Sequence, residues 1–425
     1  MVKQNTLWDF YLTKATKEAE AYELAVGNYK LYNNGSIVPY ATNLESTQEF
    51  ERISSMITSL GAKILTKKLD GIVGTVSIKG SEAIKKHIED EYEIRSLTEK
   101  LARDLIIKGS CGLAIGVDET DTPYVYRLGG FITPIFNPDD IDRVSGILQL
   151  MQNDDLTYDV RVFEDNTVSE WKSVRRLQSI DIANPHHQYQ NDVNSVAFYV
   201  DYSADENNVG KGEIEQIAPI LKGIMAVEFR IHRISEIFGY PKMVLSGAPL
   251  QDVDNSPTNA IIMNEGGRVE FLKPAEFNQL ITQHSHLLKQ INELSVLPNG
   301  FVGTGNQPSG DAIRESNNAY NASLERYTSN ISRLLTNAFW FLCDALGIPK
   351  DDLEITITPN KVNDYIADID TAVALLEKGL LTPEFTVGLI RKKFPGITDE
   401  MIDEIVSRYQ SVSQLISPED LLAQV

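Results

Sequence analysis

Residues 299–311 read NGFVGTGNQPSGD, a stretch rich in glycine, asparagine and proline set between two long helical patterns. Before it, apolar residues recur at helical spacing at Phe277, Leu280, Ile281, Leu287, Leu288 and Ile291. After it they recur at Leu324, Tyr327, Ile331, Leu334, Leu335, Ala338 and Leu342, which predicts a helix of about 35 residues, about 50 Å at 1.5 Å per residue. A glycine-rich loop held by a helix at each end is built to shift between fixed anchor points. Ser309 or Asp311 is placed to cap the second helix by accepting from its free N–H groups. The plainer alternative is a surface loop that joins a helical hairpin.

Upstream, residues 13–26 and 44–68 carry helical periodicity, the second with Phe50, Ile53, Ile57, Leu60, Ile64 and Leu65 on one face. A break is expected at 71–80, and helix resumes over 81–108 with its charged residues on the solvated side. The period then changes. Residues 111–117, 124–128, 147–151, 158–163 and 196–201 read as strands separated by Asp, Asn, Gly and Pro turns. Helix returns over 212–238, followed by short strands at 242–245 and 268–272, the two helices around the glycine-rich stretch, and a strand at 353–358. From residue 362 the chain reads as helical and acidic, and no internal repeat is found. The predicted class is α+β and mostly helical, with an antiparallel strand region.

The 425 residues suggest roughly two to four structural units. A hydrophobic fraction of 42% with 23% charged residues is that of a folded chain. The formal charge of −21 argues against simple wrapping around nucleic acid, although an acidic protein suits a task in which duplex slides without sticking. The two cysteines, Cys111 and Cys343, provide neither a disulfide framework nor a cysteine-rich zinc site and are expected to be core thiols. No signal peptide and no membrane span is expected, since no run of about 18 apolar residues occurs.

Catalytic chemistry finds little support. No GxxxxGK[ST] motif is present, and Gly303-Thr304-Gly305 follows a helix where a dinucleotide-binding turn follows a strand. His284 and His286 diverge by about 200° on a helix and do not chelate one ion together. His186-His187 would need further ligands. Asp139-Asp140, Asp154-Asp155 and Asp351-Asp352 sit at expected turns, where aspartate is favoured for backbone reasons, though such pairs also serve metal-dependent hydrolysis. Hence no catalytic, cofactor-binding or metal-binding residue is assigned, no cofactor is expected, and the chain is read as not an enzyme. One positive pattern remains on the 212–238 helix. Lys222, Arg230 and Arg233 fall within about 80° of each other, either as a solvated flank or as a stripe facing phosphate or a neighbouring subunit.

The order of these parts resembles the portal proteins of tailed bacteriophages over most of the chain. The resemblance is carried by IKGSCGLAIGVD at 107–118 with ITPIFNPDD at 132–140, then GEIEQIAPILK at 212–222, PKMVLSG at 241–247 and GRVEFLK at 267–273. PSGDAI at 308–313 opens the long helix, and LLEKGLLTPEF follows at 375–385. The resemblance implies a portal-type architecture: an N-terminal arm (1–43), a wing (44–211), a first stem helix (212–240), a clip (241–274) and a second stem helix (275–298). A tunnel loop (299–310), a long wing helix with a strand (311–361) and a helical crown (362–425) complete it. The tunnel loop would comprise Asn299, Gly300, Phe301, Val302, Gly303, Thr304, Gly305, Asn306, Gln307, Pro308, Ser309 and Gly310, facing DNA, with Lys222, Arg230 and Arg233 as a basic stem flank. The implied assembly is a homo-oligomeric ring, commonly a dodecamer, at one capsid vertex, with DNA passing through its channel. The implied partners are the major capsid protein, terminase and a head-tail adaptor; the implied location is the virion, after assembly in the host cytoplasm. A metal-dependent phosphodiester hydrolase of α+β fold, or another phage connector or scaffold ring, are the competing readings.

Overall fold

The computed structural model describes residues 4–26, 59–137, 140–153, 157–164, 166–177, 180, 184–190, 197–201, 210–238, 243–246, 268–271, 278–298, 310–350 and 352–362. The chain divides into two compact units, 1–306 with 319–361, and 307–318 with 362–425. The expected helical tail therefore lies outside the described residues, as does most of the helix expected over 44–68. All the sheets among the described residues belong to the first unit.

The fold mixes helix and strand. Helices α1 (Gln4–Val26), α2 (Leu60–Ile72), α3 (Glu82–Glu91) and α4 (Ile94–Lys108) precede the strand region. The single helix expected over 81–108 is two. Ser81 starts α3 by accepting from the Ile84 N–H, but the chain becomes extended at Tyr92. There the Tyr92 ring meets Phe339 edge-on at 4.8 Å, and its hydroxyl accepts from the Val125 N–H at 3.0 Å. Such an aromatic pair contributes about 0.5–1.5 kcal/mol beyond burial, so a tertiary contact interrupts a locally sound helix. Helix α2 does end at Ile72, within the break expected at 71–80, but the break holds an unforeseen strand: β1 (Thr75–Lys79) pairs antiparallel with β12 (Glu354–Thr358), a partner too distant in sequence to be read locally.

Strands β2 (Ser110–Val117), β3 (Pro123–Arg127) and β9 (Ala197–Asp201) form an antiparallel sheet in the order β3-β2-β9. A second antiparallel sheet runs β4 (Phe131–Asn137), β5 (Asp140–Gln152), β6 (Tyr158–Glu164), β7 (Thr167–Val174) and β8 (His187–Gln190) in sequence order. Pro134 sits in β4 because β4 is an edge strand, where a missing N–H is tolerated. Both faces of this sheet are buried. Phe131, Leu148, Leu150, Val160 and Trp171 pack towards Leu12 and Ala15 of α1, while Ile132, Ile147, Phe163 and Val168 pack against Ala114, Tyr126 and Tyr199 of the smaller sheet.

Helix α1 closes the layer with charge as well as apolar surface. Lys14 and Glu18 are buried beside Ala21, Leu24 and Ala25, and Lys14 pairs with Glu215. Glu18 is 3% exposed, and neither carboxyl oxygen has a hydrogen-bond partner among the described residues. Lys108, the strongest attractive charge acting on it, is already paired with Asp104. Burial pushes the Glu18 carboxyl up from 4.5 to about 8 against the pull of Lys108 and Lys14, with Glu215 and Asp104 adding repulsion. Between these two values the folded chain holds a proton that the unfolded chain has lost, so stability falls as pH rises from about 4.5 to 8 and is level above. Glu18→Gln, neutral throughout, is expected to remove that slope and to stabilise the chain at pH 8 by a few kcal/mol relative to its effect at pH 4, as thermal melts across the range would show.

The remaining helices are α5 (Glu213–Phe238), α6 (Asn278–Leu294) and α7 (Gly310–Ala345), with the hairpin β10 (Met243–Ser246) and β11 (Arg268–Phe271) between α5 and α6 in chain order. At 36 residues, α7 spans about 54 Å. It buries Tyr320, Leu324, Tyr327, Ile331, Leu334, Leu335, Ala338, Phe339 and Leu342, which contains every position its periodicity predicts. Both cysteines are buried thiols.

Candidate functional site

Of the glycine-rich stretch, residues 299–309 lie outside the described residues, and Gly310 is the first residue of α7. What the structure places is the frame. On the near side, α6 packs along α5, with Leu287 in contact range of Gly223 and His284 Nε2 3.1 Å from Glu228 Oε1. His284 thus faces a neighbouring helix, while His286 on the same helix is exposed. The α6 helix gives way to a turn in which Ser295, fully buried, donates its N–H and its hydroxyl to the Ile291 carbonyl. Val296 follows with φ 42°. A β-branched residue in the left-handed region costs about 1–3 kcal/mol and persists only where its surroundings hold it.

The holding group is Lys68. On α2 the buried stripe runs Ile64, Leu65, Lys68, Leu69, Ile72, and the lysine occupies a core position with its side chain fully buried. An ammonium has three hydrogens to place. Three acceptors from three segments meet it: Glu213 Oε2 at the start of α5 at 3.3 Å, Ser323 Oγ of α7 at 3.0 Å, and the Val296 carbonyl oxygen at 3.2 Å. The rings of Tyr320 and Tyr327 lie 5.2 and 6.0 Å from the nitrogen, within cation–π range. Each ring is tethered: Tyr320 donates to the Lys67 carbonyl at 3.0 Å and Tyr327 to Glu213 Oε2 at 3.1 Å.

Burial pushes the Lys68 amine down and the Glu213 carboxyl up, each opposed by the other's charge. The geometry favours the charged pair, because every hydrogen of the ammonium has an acceptor and Glu213 Oε2 receives both Lys68 and Tyr327, although Oε1 is buried with no hydrogen-bond partner among the described residues. Losing one member of such a buried pair costs about 3–5 kcal/mol. Both charged groups are enclosed, the Lys68 side chain at 0% and the Glu213 side chain at 9% exposure. The chemistry of the arrangement is mechanical: it clasps α2, α5, the turn after α6, and α7 at Ser323.

The basic flank resolves differently. Lys222, Arg230 and Arg233 all lie on α5, but Lys222 reaches Glu20 of α1 and forms an ion pair there. It is not free to face a phosphate channel with the two arginines. Of the aspartate pairs, Asp140 opens β5 and Asp352 sits in a turn at φ 59°, while Asp139, Asp154, Asp155 and Asp351 lie outside the described residues. Among the described residues no group of three or more His, Cys, Asp or Glu is arranged to hold a metal ion. No described helix is long and apolar enough to cross a membrane.

Sequence reasoning did not find Lys68, Glu213 or Val296. A signal existed for the first: a lysine four residues from Ile64 and four from Ile72 interrupts an otherwise apolar stripe. Nothing local marks Glu213 as its partner.

Among known proteins, a family model described as "Phage portal protein, SPP1 Gp6-like" matches residues 63–414. No curated protein matches the chain. Similar solved structures include the neck of a native GTA particle computed with C12 symmetry, at 12% identity and TM-score 0.47, covering 84% of this chain and 94% of that one. The neck of an empty GTA particle computed with C6 symmetry matches at 12% identity and TM-score 0.46, covering 80% and 92%. The virion of a native gene transfer agent particle matches at 12% identity and TM-score 0.45, covering 82% and 94%.

Proposed function

The chain belongs to the SPP1 Gp6-like phage portal protein family, and on that premise we propose that about twelve copies close a ring at one capsid vertex, through which double-stranded DNA enters and leaves. The family match over residues 63–414 is the observation that carries this reading. In it, residues 44–211 form the wing, 212–240 and 275–298 the stem, 241–274 the clip, 299–310 the tunnel loop, 311–361 the long wing helix with its strand, and 362–425 the crown. Support comes from two packed helices with a β-hairpin between them in chain order, and from a buried clasp just before the glycine-rich segment.

The ring is a conduit and a docking platform without chemistry of its own. Lacking a phosphate-binding motif, it leaves ATP hydrolysis to a terminase, which gives way on the clip to a head-tail adaptor once the head is full. The major capsid protein surrounds the wing. A total charge of about −250 over twelve copies repels the DNA backbone along the channel, so the duplex slides and is held only at small basic belts. Arg230 and Arg233 are the stem residues proposed for such a belt, with Lys222 held by Glu20.

Light scattering and negative-stain imaging of the purified chain test the proposal. A ring of about twelve subunits with an open central hole is the expected result. A monomer at all concentrations that cleaves generic phosphodiesters in the presence of divalent metal would overturn it in favour of the hydrolase reading.

A further inference from the structure

A strained backbone and a buried cation meet at one point, directly before the glycine-rich segment. Val296 holds φ 42°, its carbonyl oxygen accepts from Lys68, and the next residue, Leu297, is buried. The lysine's two other acceptors belong to α5 and α7, and α7 also supplies the rings packed around it. Apolar packing alone would have been served by leucine or methionine at position 68, as by the isoleucines at Ile64 and Ile72 on the same stripe. What a lysine adds is a donor that reaches a main-chain carbonyl in a turn the backbone does not adopt unaided.

We propose that Lys68 is a positioning residue whose buried ammonium holds the left-handed turn at Val296, and so sets the direction in which the chain leaves α6 towards residues 299–309. Because the same ammonium is bonded to Glu213 and Ser323, that direction is tied to the start of α5 and to α7. A displacement of α5 or α7 relative to α2 loosens the Lys68 contacts and frees the turn to relax; a turn held in place conversely keeps α5 and α7 in register. The coupling rests on the conduit reading only for its consequence, the setting of a channel-facing segment. The turn itself is measurable without DNA.

Hydrogen exchange on the full-length chain tests it, comparing the wild type with Lys68→Met, Val296→Gly and the double variant. Lys68→Met is expected to speed exchange of the amides between Ile291 and Leu297 by about tenfold or more beyond the rise that the lost ion pair causes around Leu334, Leu335 and Leu342 in α7. Adding Val296→Gly is expected to restore protection, since glycine adopts the left-handed turn without strain and no longer needs the clamp. Unchanged exchange over 291–297, an equal rise through the α7 core, or a failure of glycine to rescue would each overturn the proposal. Where Lys68→Met does not fold, the Lys68→Met/Glu213→Leu chain removes both charges together. Faster exchange confined to 291–297 in that chain supports the role of Lys68, and wild-type exchange there refutes it. Ring formation and DNA packaging are scored separately, so a failure of the conduit reading leaves the exchange result standing.

Discussion

Deletion of residues 303–307 is expected to leave folded chains and assembled rings while the yield of DNA-filled heads falls to background. The expectation follows from where the frame draws its stability. The described members of the Lys68 clasp, Glu213, Val296, Tyr320, Ser323 and Tyr327, all lie outside the deletion. The six residues left between Pro298 and Gly310 still span up to about 20 Å. What is lost is the central Gly-Thr-Gly-Asn-Gln, which the conduit reading places against the duplex. Negative-stain images would report the rings, and nuclease-protected genomes per head would report packaging. Normal DNA-filled heads from the deletion variant would remove the segment from the mechanism. Absence of rings would show that it serves assembly.

Gly212→Ala is expected to destabilise the chain by about 3 kcal/mol, through backbone contact rather than lost side-chain packing. A Cβ at Gly212 would lie 1.9 Å from the Ile107 carbonyl oxygen and 2.3 Å from its carbon. Relief by local adjustment is blocked. Gly109, which ends α4 at φ 82°, sits equally tightly against Lys211, and Gly210 lies against the Gly109 carbonyl. These glycines interlock the end of α4 with the start of α5, and Glu213 of the clasp is the next residue. The shift that the added methyl group requires would therefore also pull the carboxylate from Lys68. Gly223→Ala is the control, since its Cβ would meet only the Leu287 side chain at 3.4 Å or beyond. A glycine in a helix interior costs roughly 0.5–1 kcal/mol relative to alanine, so Gly223→Ala is expected to raise the melting temperature while Gly212→Ala lowers it. Equal effects of the two substitutions would show that the close approach at Ile107 is not limiting.

The helices α5, α6 and α7, strands β2, β3, β6, β9, β10, β11 and β12, and the second half of β5 were legible because each carries its own period or composition. Strands β1, β4, β7 and β8 were not. Residues 132–140 hold two prolines and two aspartates and carry no strand period of their own, yet β4 forms because an edge strand needs only one of its hydrogen-bonding sides. The split at Tyr92 was equally invisible, since its cause is Phe339, distant in the chain. Within the candidate site, the glycine-rich segment and its flanking helices could be read directly, and the clasp that ties them could not. The basic flank was read from helical spacing on α5, which is blind to Glu20 waiting on α1.

By itself, the sequence determined the class of the fold, the position of the glycine-rich segment between two helices, the apolar face of α7 and the family to which the chain belongs. These follow from periodicity, glycine and proline placement and motif order, which are properties of neighbouring residues. Tertiary structure alone decided that Lys68 and Glu18 are buried, that Lys68 gathers α5, α7 and the turn after α6, that Lys222 answers to α1, and that Val296 is held in a left-handed turn. Each of these depends on desolvation, on charge pairing or on a backbone conformation imposed from outside. Those quantities are set by which distant segments share a point in space; the apolar stripe around Lys68 points to its burial, but no local pattern names the partners.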